Sequence, residues 1–326
     1  MSRNGGYETV ELRGLYMIPN NIMVFLEIII VTLSIVTTVI YGLVKYKPTA
    51  ELKEIWLRIR TWWMMIIIFM IAILLGPVIS LVFFALLSFL ALREFLSLIP
   101  TRSVDRPTLL CVYLTIPMQY LLIANGNYEI FVIFVPLIVF LFLASSMVLA
   151  GETPGFISAI STLNWGLMLT VYLLGYVGFV LVITSDGGLI TSNAVLVLFL
   201  VFLTELNDVA QYTFGKLFGT TTAIIKVSPN KTAEGFAGGL SITILSAVLI
   251  GPWLTSLTTW ESLIAGILIG VAGFLGDITI SAVKRDLGIK DTGRLLPGHG
   301  GVLDRVDSLL FTAPVFFHYI YQFKLY

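Results

Sequence analysis

The sequence predicts an all-α, polytopic membrane protein with about ten transmembrane helices. Apolar residues make up 58% of the 326 residues and charged residues only 12%, whereas soluble domains contain roughly 25% charged residues. The apolar residues form long continuous runs instead of alternating with polar ones, which favours spanning helices over a β-barrel. The net charge is zero, so nothing indicates a nucleic-acid partner and we expect none.

Ten apolar segments are each long enough to cross a bilayer, which takes about 20 helical residues. They cover residues 22–45, 58–76, 77–96, 107–124, 128–149, 163–184, 188–206, 236–257, 261–283 and 303–323. We separate the second from the third at Gly76 and Pro77, since proline removes a helix hydrogen bond and glycine permits a tight turn. The polar N-terminus lacks the pattern of a cleavable signal, so we expect the first helix to be retained.

The stretch 49–61, before the second span, has the pattern of an amphipathic helix. Leu52, Ile55, Trp56 and Ile59 recur at helical spacing, and charged residues lie between them. We expect this helix to lie in the membrane interface before the chain dips back in. Its role is either to gather lipids or to connect two spans as an anchored linker.

Lysine and arginine are distributed unevenly between the two sides that ten alternating spans define. Only Arg3, Arg13 and Lys324 fall on one side, so 16 of the 19 basic residues fall on the other. Loops rich in lysine and arginine stay in the cytoplasm. We therefore predict that the two longest polar connections, 207–235 and 284–302, face the cytoplasm and lie together.

Four polar residues lie on one helical face at the end of the predicted ninth span: Asp277, Ser281, Lys284 and Arg285. Asp277 lies about 10 Å deeper than Lys284, and a carboxylate at that depth needs a cation, a basic partner or a water-filled cavity. We interpret Asp277 as a metal ligand at the floor of a polar cavity. The alternative is a structural pair with Lys284 or Arg285. The single cysteine, Cys111, excludes a cysteine-based metal cage.

The next segment, 290–301, has the composition of a phosphate-binding turn. Three glycines let backbone N–H groups approach an anion closely, and two basic side chains would neutralise its charge. These residues are Lys290, Arg294, Gly298, Gly300 and Gly301. For His299 the sequence leaves three roles open, namely phosphate binding, acid–base chemistry and capping of the turn.

Carboxylates flank both polar connections. Asp304 and Asp307 begin the predicted tenth span, where acidic groups either cap the helix or face the cavity. Asp208 lies at the end of the seventh span, and Glu94, at the end of the third, is a further candidate. Two or three carboxylates together with phosphates would suit Mg²⁺, which prefers oxygen ligands.

The turn that follows the seventh span offers a second candidate for phosphate binding. Its sequence SPNKTAEG supplies Ser228, Lys231, Thr232 and Glu234. A lysine between turn residues commonly serves solubility. In a chain this apolar, we favour phosphate binding over that role.

The run from Ser281 to Asp307 resembles the signature of phosphatidate cytidylyltransferases, also called CDP-diacylglycerol synthases. The matching positions are Ser281, Lys284, Arg285, Lys290, Asp291, Pro297, His299, Gly300, Gly301, Asp304, Arg305 and Asp307. The upstream segments NDVAQYTFGKLFG and SPNKTAEGFAGG are similar to that family as well, so the resemblance covers about residues 204–310. The chain departs from the family pattern at Asn230 and Ala233, where lysine and tryptophan are common, and in an additional N-terminal helix.

The resemblance implies transfer of the cytidylyl group from CTP to phosphatidic acid, which gives CDP-diacylglycerol and pyrophosphate. It implies catalytic roles for Asp208, Asp277, Lys284, Arg285 and Asp304. The three aspartates would hold Mg²⁺ and, in the stronger version, a second cation. Substrate binding would fall to Ser228, Lys231, Thr232, Glu234, Ser281, Lys290, Asp291, Arg294, His299, Gly300, Gly301, Arg305 and Asp307.

We therefore expect an integral protein of the bacterial inner membrane with a cytoplasmic active site. Its partners would be CTP, phosphatidic acid and membrane lipids, and a homodimer is left open. The chain divides into an N-terminal transmembrane region, 1–200, and a C-terminal catalytic region, 201–326, within one membrane unit.

Three other functions compete with this interpretation. A related enzyme could act on another lipid phosphate, or as a polyprenol-type lipid kinase. A transporter would commonly show paired half-repeats, and none is found here. An inactive paralogue would be expected to lose part of the acidic set, which is intact.

Overall fold

The computed structural model describes residues 20–46, 49–100, 102–182, 191–220, 227–228 and 231–324. Within these ranges the chain is helical and contains no β-strand. The helices are α1 (Asn20–Tyr46), α2 (Ala50–Leu74), α3 (Pro77–Ser97), α4 (Arg106–Ala124), α5 (Tyr128–Leu149), α6 (Phe156–Val182), α7 (Thr191–Phe218), α8 (Ala233–Leu254), α9 (Thr259–Asp286), α10 (Leu303–Val306) and α11 (Leu309–Lys324). The predicted all-α membrane fold is confirmed.

Nine of the described helices, α1 to α9, are long and apolar enough to cross a membrane. The tenth predicted span, 303–323, is divided into the single turn α10 and the 16-residue α11. At 1.5 Å per residue α11 is only about 24 Å long. It still reaches the far end of the bundle, because the hydroxyl of Tyr319 donates to the carbonyl of Glu261, in the first turn of α9 (3.0 Å).

The amphipathic stretch 49–61 and the second predicted span form one uninterrupted helix, α2. The chain therefore does not bend between them, although the position of the first turns relative to a membrane surface stays a prediction. Thr49 caps the helix by accepting a hydrogen bond from Leu52 N (3.2 Å). The helix ends at Leu74, and Gly76, at φ 104°, turns the chain into α3. The predicted division at Gly76 and Pro77 is confirmed.

The N-terminal helices α3 to α6 pack around large aromatic side chains. Phe84, Phe95 and Phe131 are at most 2% exposed, and in a membrane they stabilise the bundle through van der Waals packing between helices. The ring of Phe131 meets that of Phe179, on α6, at 4.5 Å. Phe179 in turn contacts Phe317 of α11 at 5.7 Å, so α11 joins this group of helices to the C-terminal group.

Glycines allow the C-terminal helices α7, α8 and α9 to pack at very short distances. A Cβ at Gly235 of α8 would lie 2.8 Å from the carbonyl of Gln211 on α7. Asn207 of α7 ties the three helices together, because it accepts from Thr243 of α8 (3.2 Å) and donates to the carbonyl of Gly270 of α9 (3.2 Å). This contact fixes the position of Asp208, the next residue along the chain.

The closest approach of α9 to the start of α11 occurs at Gly276. A Cβ there would lie 2.6 Å from the carbonyl oxygen of Asp307 and 3.1 Å from Cα of Ser308. Both are backbone atoms, which cannot move aside as the end of a flexible side chain would. Gly276 therefore lets Asp307 lie close to Asp277, the residue that follows Gly276 in the chain.

We predict that Gly276→Ala destabilises the protein by about 1–3 kcal/mol, the usual cost of overpacking. The measurement is thermal unfolding in detergent. The control is Gly42→Ala on α1, where a Cβ would meet nothing within 4 Å. Helix propensity should make that variant neutral or slightly stabilised. Equal unfolding temperatures for Gly276→Ala and the wild type would contradict the close packing described here.

Candidate active site

A polar cavity of about 1210 Å³ lies at one end of the bundle. It is lined by the third and fourth turns of α2, the end of α7, the turn before α8 and its first residues, the end of α9, and the segment 290–307. The described parts of the two longest polar connections therefore do lie together, as predicted. Of the predicted site residues, the cavity is lined by Asp208, Ser228, Lys231, Thr232, Asp277, Lys284, Lys290, Asp291, Arg294, His299, Gly300, Asp304, Arg305 and Asp307.

Three carboxylates, those of Asp208, Asp277 and Asp307, share the deep part of this cavity. Burial, and then the charges of Asp277 and Asp208, raise the pKa of Asp307 well above its usual value. Among the described residues, no group of three or more His, Cys, Asp or Glu is arranged to hold a metal ion. A cation bound here would therefore complete its ligands with phosphate oxygens and water, as Mg²⁺ commonly does.

Asp277 has partners on both carboxylate oxygens. Lys231, from the turn before α8, forms an ion pair with Oδ2, and Ser281 donates to Oδ1 (3.3 Å). Lys231 also donates to Gln211 of α7 (3.1 Å) and lies 5.7 Å from the ring centre of Phe274. Lys231 thus joins the turn before α8 to α7 and α9, and the alternative pair of Asp277 with Lys284 or Arg285 is not formed.

Asp304 accepts four hydrogen bonds and so fixes the shape of the segment 290–301. Lys284 donates to Oδ1 (2.8 Å). The backbone N–H of Thr292 (2.8 Å), its hydroxyl (3.0 Å) and the N–H of Gly301 (3.0 Å) donate to Oδ2. Burial alone would raise the pKa of Asp304, but these hydrogen bonds outweigh it and lower the pKa below its usual value. The carboxylate is therefore charged, and both of its oxygens accept hydrogen bonds from protein donors.

Several buried polar atoms on residues that line the cavity have no hydrogen-bond partner among the described residues. They are Asp208 Oδ1, Gln211 Nε2, His299 Nδ1 and Arg305 Nε. Buried polar atoms are nearly always paired in native proteins. Two donors, one acceptor and an imidazole nitrogen concentrated in one cavity indicate that it binds a polar ligand.

His299 is uncharged in this setting. Burial, followed by the positive charges of Arg305 and Arg58, lowers its pKa to about 4. Of the three roles that the sequence left open, a cationic contact with phosphate is therefore disfavoured at neutral pH. A neutral imidazole still has one N–H donor and one acceptor nitrogen to offer a ligand.

Besides the further candidate Glu94, four predicted site residues do not line the cavity. Arg285 is exposed, and its guanidinium donates to the carbonyl of Ile289 (3.4 Å), because one further residue along α9 turns it about 100° from Lys284. Ser281 orients Asp277, as described above. Gly301 donates to Asp304, and Glu234 accepts from the hydroxyl of Thr220 (2.7 Å). Of these four, Ser281 and Gly301 hold residues that do line the cavity.

The cavity also contains residues that the sequence analysis did not assign to it. Arg58 and Trp62 come from α2, and Glu205, Tyr212 and Lys216 come from α7. Glu205 could have been found from its spacing of three residues before Asp208. Nothing in the amphipathic pattern of α2 distinguishes Arg58 from its charged neighbours, so only the tertiary structure assigns it to the site.

This fold and cavity are those of an integral membrane enzyme. The chain belongs to the cytidylyltransferase family, whose model matches residues 56–323. It is 48% identical to "Uncharacterized protein YnbB" of Escherichia coli over 273 residues, which cover 84% of this chain and 89% of that protein.

Relatives that carry an enzyme name match shorter stretches. A phosphatidate cytidylyltransferase of Synechocystis is 44% identical over 115 residues, and one of Staphylococcus saprophyticus is 41% identical over 120 residues. The matches cover 35% and 36% of this chain and 39% and 46% of those enzymes. The chain therefore spans less than half the length of these two relatives.

Proposed function

We propose that this chain transfers the cytidylyl group of CTP to phosphatidic acid, giving CDP-diacylglycerol and pyrophosphate. The observation that carries the proposal is the cavity itself, in which acidic and basic side chains and unpaired buried polar atoms lie at the end of apolar spanning helices. A nucleotide needs the basic groups and a lipid needs access from the bilayer. Membership of the cytidylyltransferase family and the phosphatidate cytidylyltransferases among its relatives support the same reaction.

In this reaction a phosphate oxygen of the lipid attacks the α-phosphorus of CTP, and the bond from that phosphorus to the β-phosphate oxygen breaks. The lipid phosphate is already an anionic nucleophile, so the protein has mainly to position the two substrates and neutralise charge. Lys284, Lys290 and Arg294 line the cavity and are placed to bind the triphosphate and the leaving pyrophosphate. Arg285 is not assigned this role, because its side chain does not line the cavity.

The turn before α8 offers a second group of donors for phosphate. Thr232 caps α8 by accepting from Gly235 N (3.0 Å), and the start of this helix faces the cavity. Backbone N–H groups at a helix N-terminus favour anions. Ser228 and Lys231 lie beside it and line the same cavity.

The acidic residues fit Mg²⁺ provided that substrate phosphates supply further ligands. We propose Asp208 and Asp277 as ligands, with Asp307 in place of Asp304, because all the donors around Asp304 come from the protein. Mg²⁺ bound there would neutralise charge on the transferring phosphoryl group. In this structure Lys231 pairs with Asp277 and holds it in place. When CTP binds, the same ammonium group would pair with a phosphate oxygen in place of the carboxylate.

We propose the cytoplasmic face of a bacterial inner membrane as the location of the site. The side that holds 16 of the 19 basic residues also contributes the segments that line the cavity. The named relatives are bacterial.

The chemistry is tested by isotope tracing with purified protein, Mg²⁺ and phosphatidic acid. With α-labelled CTP, label is expected in the lipid product; with γ-labelled CTP, label is expected in pyrophosphate. This follows because the bond that breaks lies between the α- and β-phosphates. Label from the γ position in lipid would instead establish a lipid kinase and overturn the proposal.

The role of Asp277 is tested by Asp277→Asn, which keeps the shape of the side chain but removes its charge. We expect kcat to fall by roughly 10²–10³ or more, as for loss of a group that stabilises the transition state, with folding retained on size-exclusion chromatography. The control is Asp286→Asn, an exposed position on the same helix outside the cavity. A near-normal rate and Mg²⁺ dependence in Asp277→Asn would refute the assignment.

The face of the membrane is tested by labelling single cysteines in a Cys111→Ser background. An impermeant maleimide should label Lys290→Cys only after cells are permeabilised. Asn125→Cys, in the turn after α4, should be labelled in intact cells, because that connection lies on the predicted outer side. The reverse pattern would show that the orientation is inverted.

A further inference from the structure

The segment between α9 and α10 has no regular helix or strand of its own, and it supplies much of the cavity wall. Asp304 holds it from the inside through Thr292 and Gly301. A segment of this kind, rich in glycine, keeps one shape only if neighbouring elements hold it. The elements that do so lie outside the C-terminal region.

Glu94, on α3, contacts both ends of this segment. Its Oε2 accepts a hydrogen bond from the N–H of Leu303 (2.9 Å) and lies 3.4 Å from the hydroxyl oxygen of Thr292, whose single proton is shared with the closer Asp304. Thr292 is 3% exposed and Leu303 is fully buried. Two residues 11 positions apart in the chain are thereby joined through one carboxylate oxygen.

The glycines of the segment leave room for this carboxylate. A Cβ at Gly293 would lie 2.8 Å from Glu94 Oε1. A Cβ at Gly301 would also collide with Glu94, and would lie 2.8 Å from the backbone nitrogen of Gly293. Gly301 is therefore needed for close approach to Glu94 as well as for its hydrogen bond to Asp304.

A second contact comes from α2. The hydroxyl of Thr61, which is 5% exposed, donates to the carbonyl of Pro297 (2.8 Å). The next residue, Gly298, has a positive φ of 75°, and a Cβ there would lie 3.3 Å from Cγ of Arg58. The tip of the segment thus lies directly on α2, and its two ends are held by α3.

We propose that Glu94 and Thr61 are positioning residues that hold the segment 290–303 in the shape that binds the triphosphate of CTP. The N-terminal helices α2 and α3 would then influence nucleotide affinity through Thr61 and Glu94, although neither side chain contacts the nucleotide. The inference rests on the proposed function only in naming CTP as the ligand, since the contacts themselves hold for any phosphorylated ligand.

The test compares four variants of the full-length protein in detergent. Glu94→Ala removes the acceptor, and Glu94→Gln keeps an acceptor oxygen but no charge. Thr61→Val removes the hydroxyl at nearly constant shape. The control is Asp105→Asn, which removes the charge of a carboxylate at the same end of the bundle; Asp105 is 2% exposed, more deeply buried than Glu94, and pairs with Arg102 (2.6 Å).

We expect Glu94→Ala to speed hydrogen–deuterium exchange in peptides covering 290–303, with little change elsewhere. It should weaken CTP binding by calorimetry, and raise KM for CTP, about tenfold, in line with loss of a hydrogen bond to a charged group. KM for phosphatidic acid should stay within about twofold, because the proposal assigns this segment to the triphosphate of CTP. Glu94→Gln should restore CTP binding to within about threefold of the wild type, and Thr61→Val should weaken it by about threefold.

Two outcomes would overturn the positioning role. One is unchanged exchange and unchanged CTP affinity in Glu94→Ala. The other is exchange that rises across α3 and α4 with no change in CTP affinity, as a general loss of stability would give and as we expect for Asp105→Asn. If the wild type binds CTP but transfers no cytidylyl group, the proposed function fails while the exchange and calorimetry still decide the role of Glu94.

Discussion

A charged side chain inside an apolar bundle needs a charged partner or a polar cavity, because an unpaired charge in the bilayer is costly. The helices meet this constraint by bringing the ends of α7 and α9, the third and fourth turns of α2, the start of α8 and the segment 290–307 around one polar cavity. Their close approach depends on residues without a side chain. Gly235 and Gly276 are the clearest cases, since a Cβ at either would meet backbone atoms of a neighbouring element.

Two ion pairs within the cavity also determine the shape of its wall. Asp304 draws Lys284 and the segment 290–301 together, and Lys231 draws the turn before α8 toward α9. Pairing of this kind offsets the desolvation of the individual charges. It leaves Asp208, Arg305 and His299 with buried polar atoms that no described residue satisfies. The polar atoms without a partner are thus on cavity-lining residues other than those that form the two ion pairs.

The helical class, the division at Gly76 and Pro77 and most of the cavity residues could be predicted from the sequence. Long apolar runs determine spanning helices, and acidic and basic residues in such a chain indicate a common polar site. The sequence could not show that Arg285 points away from Lys284, because the width of a helical face depends on its neighbours. It could not separate the roles of Asp304 and Asp307 either, since both lie near the same helix start and only their hydrogen bonds differ. Arg58 and Thr61 were missed because local pattern does not reveal which turn of α2 meets a loop more than 230 residues away.

A division of the chain at residue 200 places most of the candidate catalytic and binding residues in the second part. Some of the residues that hold their segment in place lie in the first part. The carboxylates and most phosphate-binding candidates lie after that point, but the segment that carries several of them is held by Thr61 and Glu94. The family model begins at residue 56, so it includes α2 from that residue onward and all of α3, while α1 lies outside it. α1 packs along α2, where Trp63 donates to Thr37 (2.9 Å), and contributes no residue to the described cavity wall. The helices that we propose hold the segment 290–303, α2 and α3, thus lie almost wholly within the family match, whereas α1 lies outside it and also contacts α7 through Phe25 and Phe202.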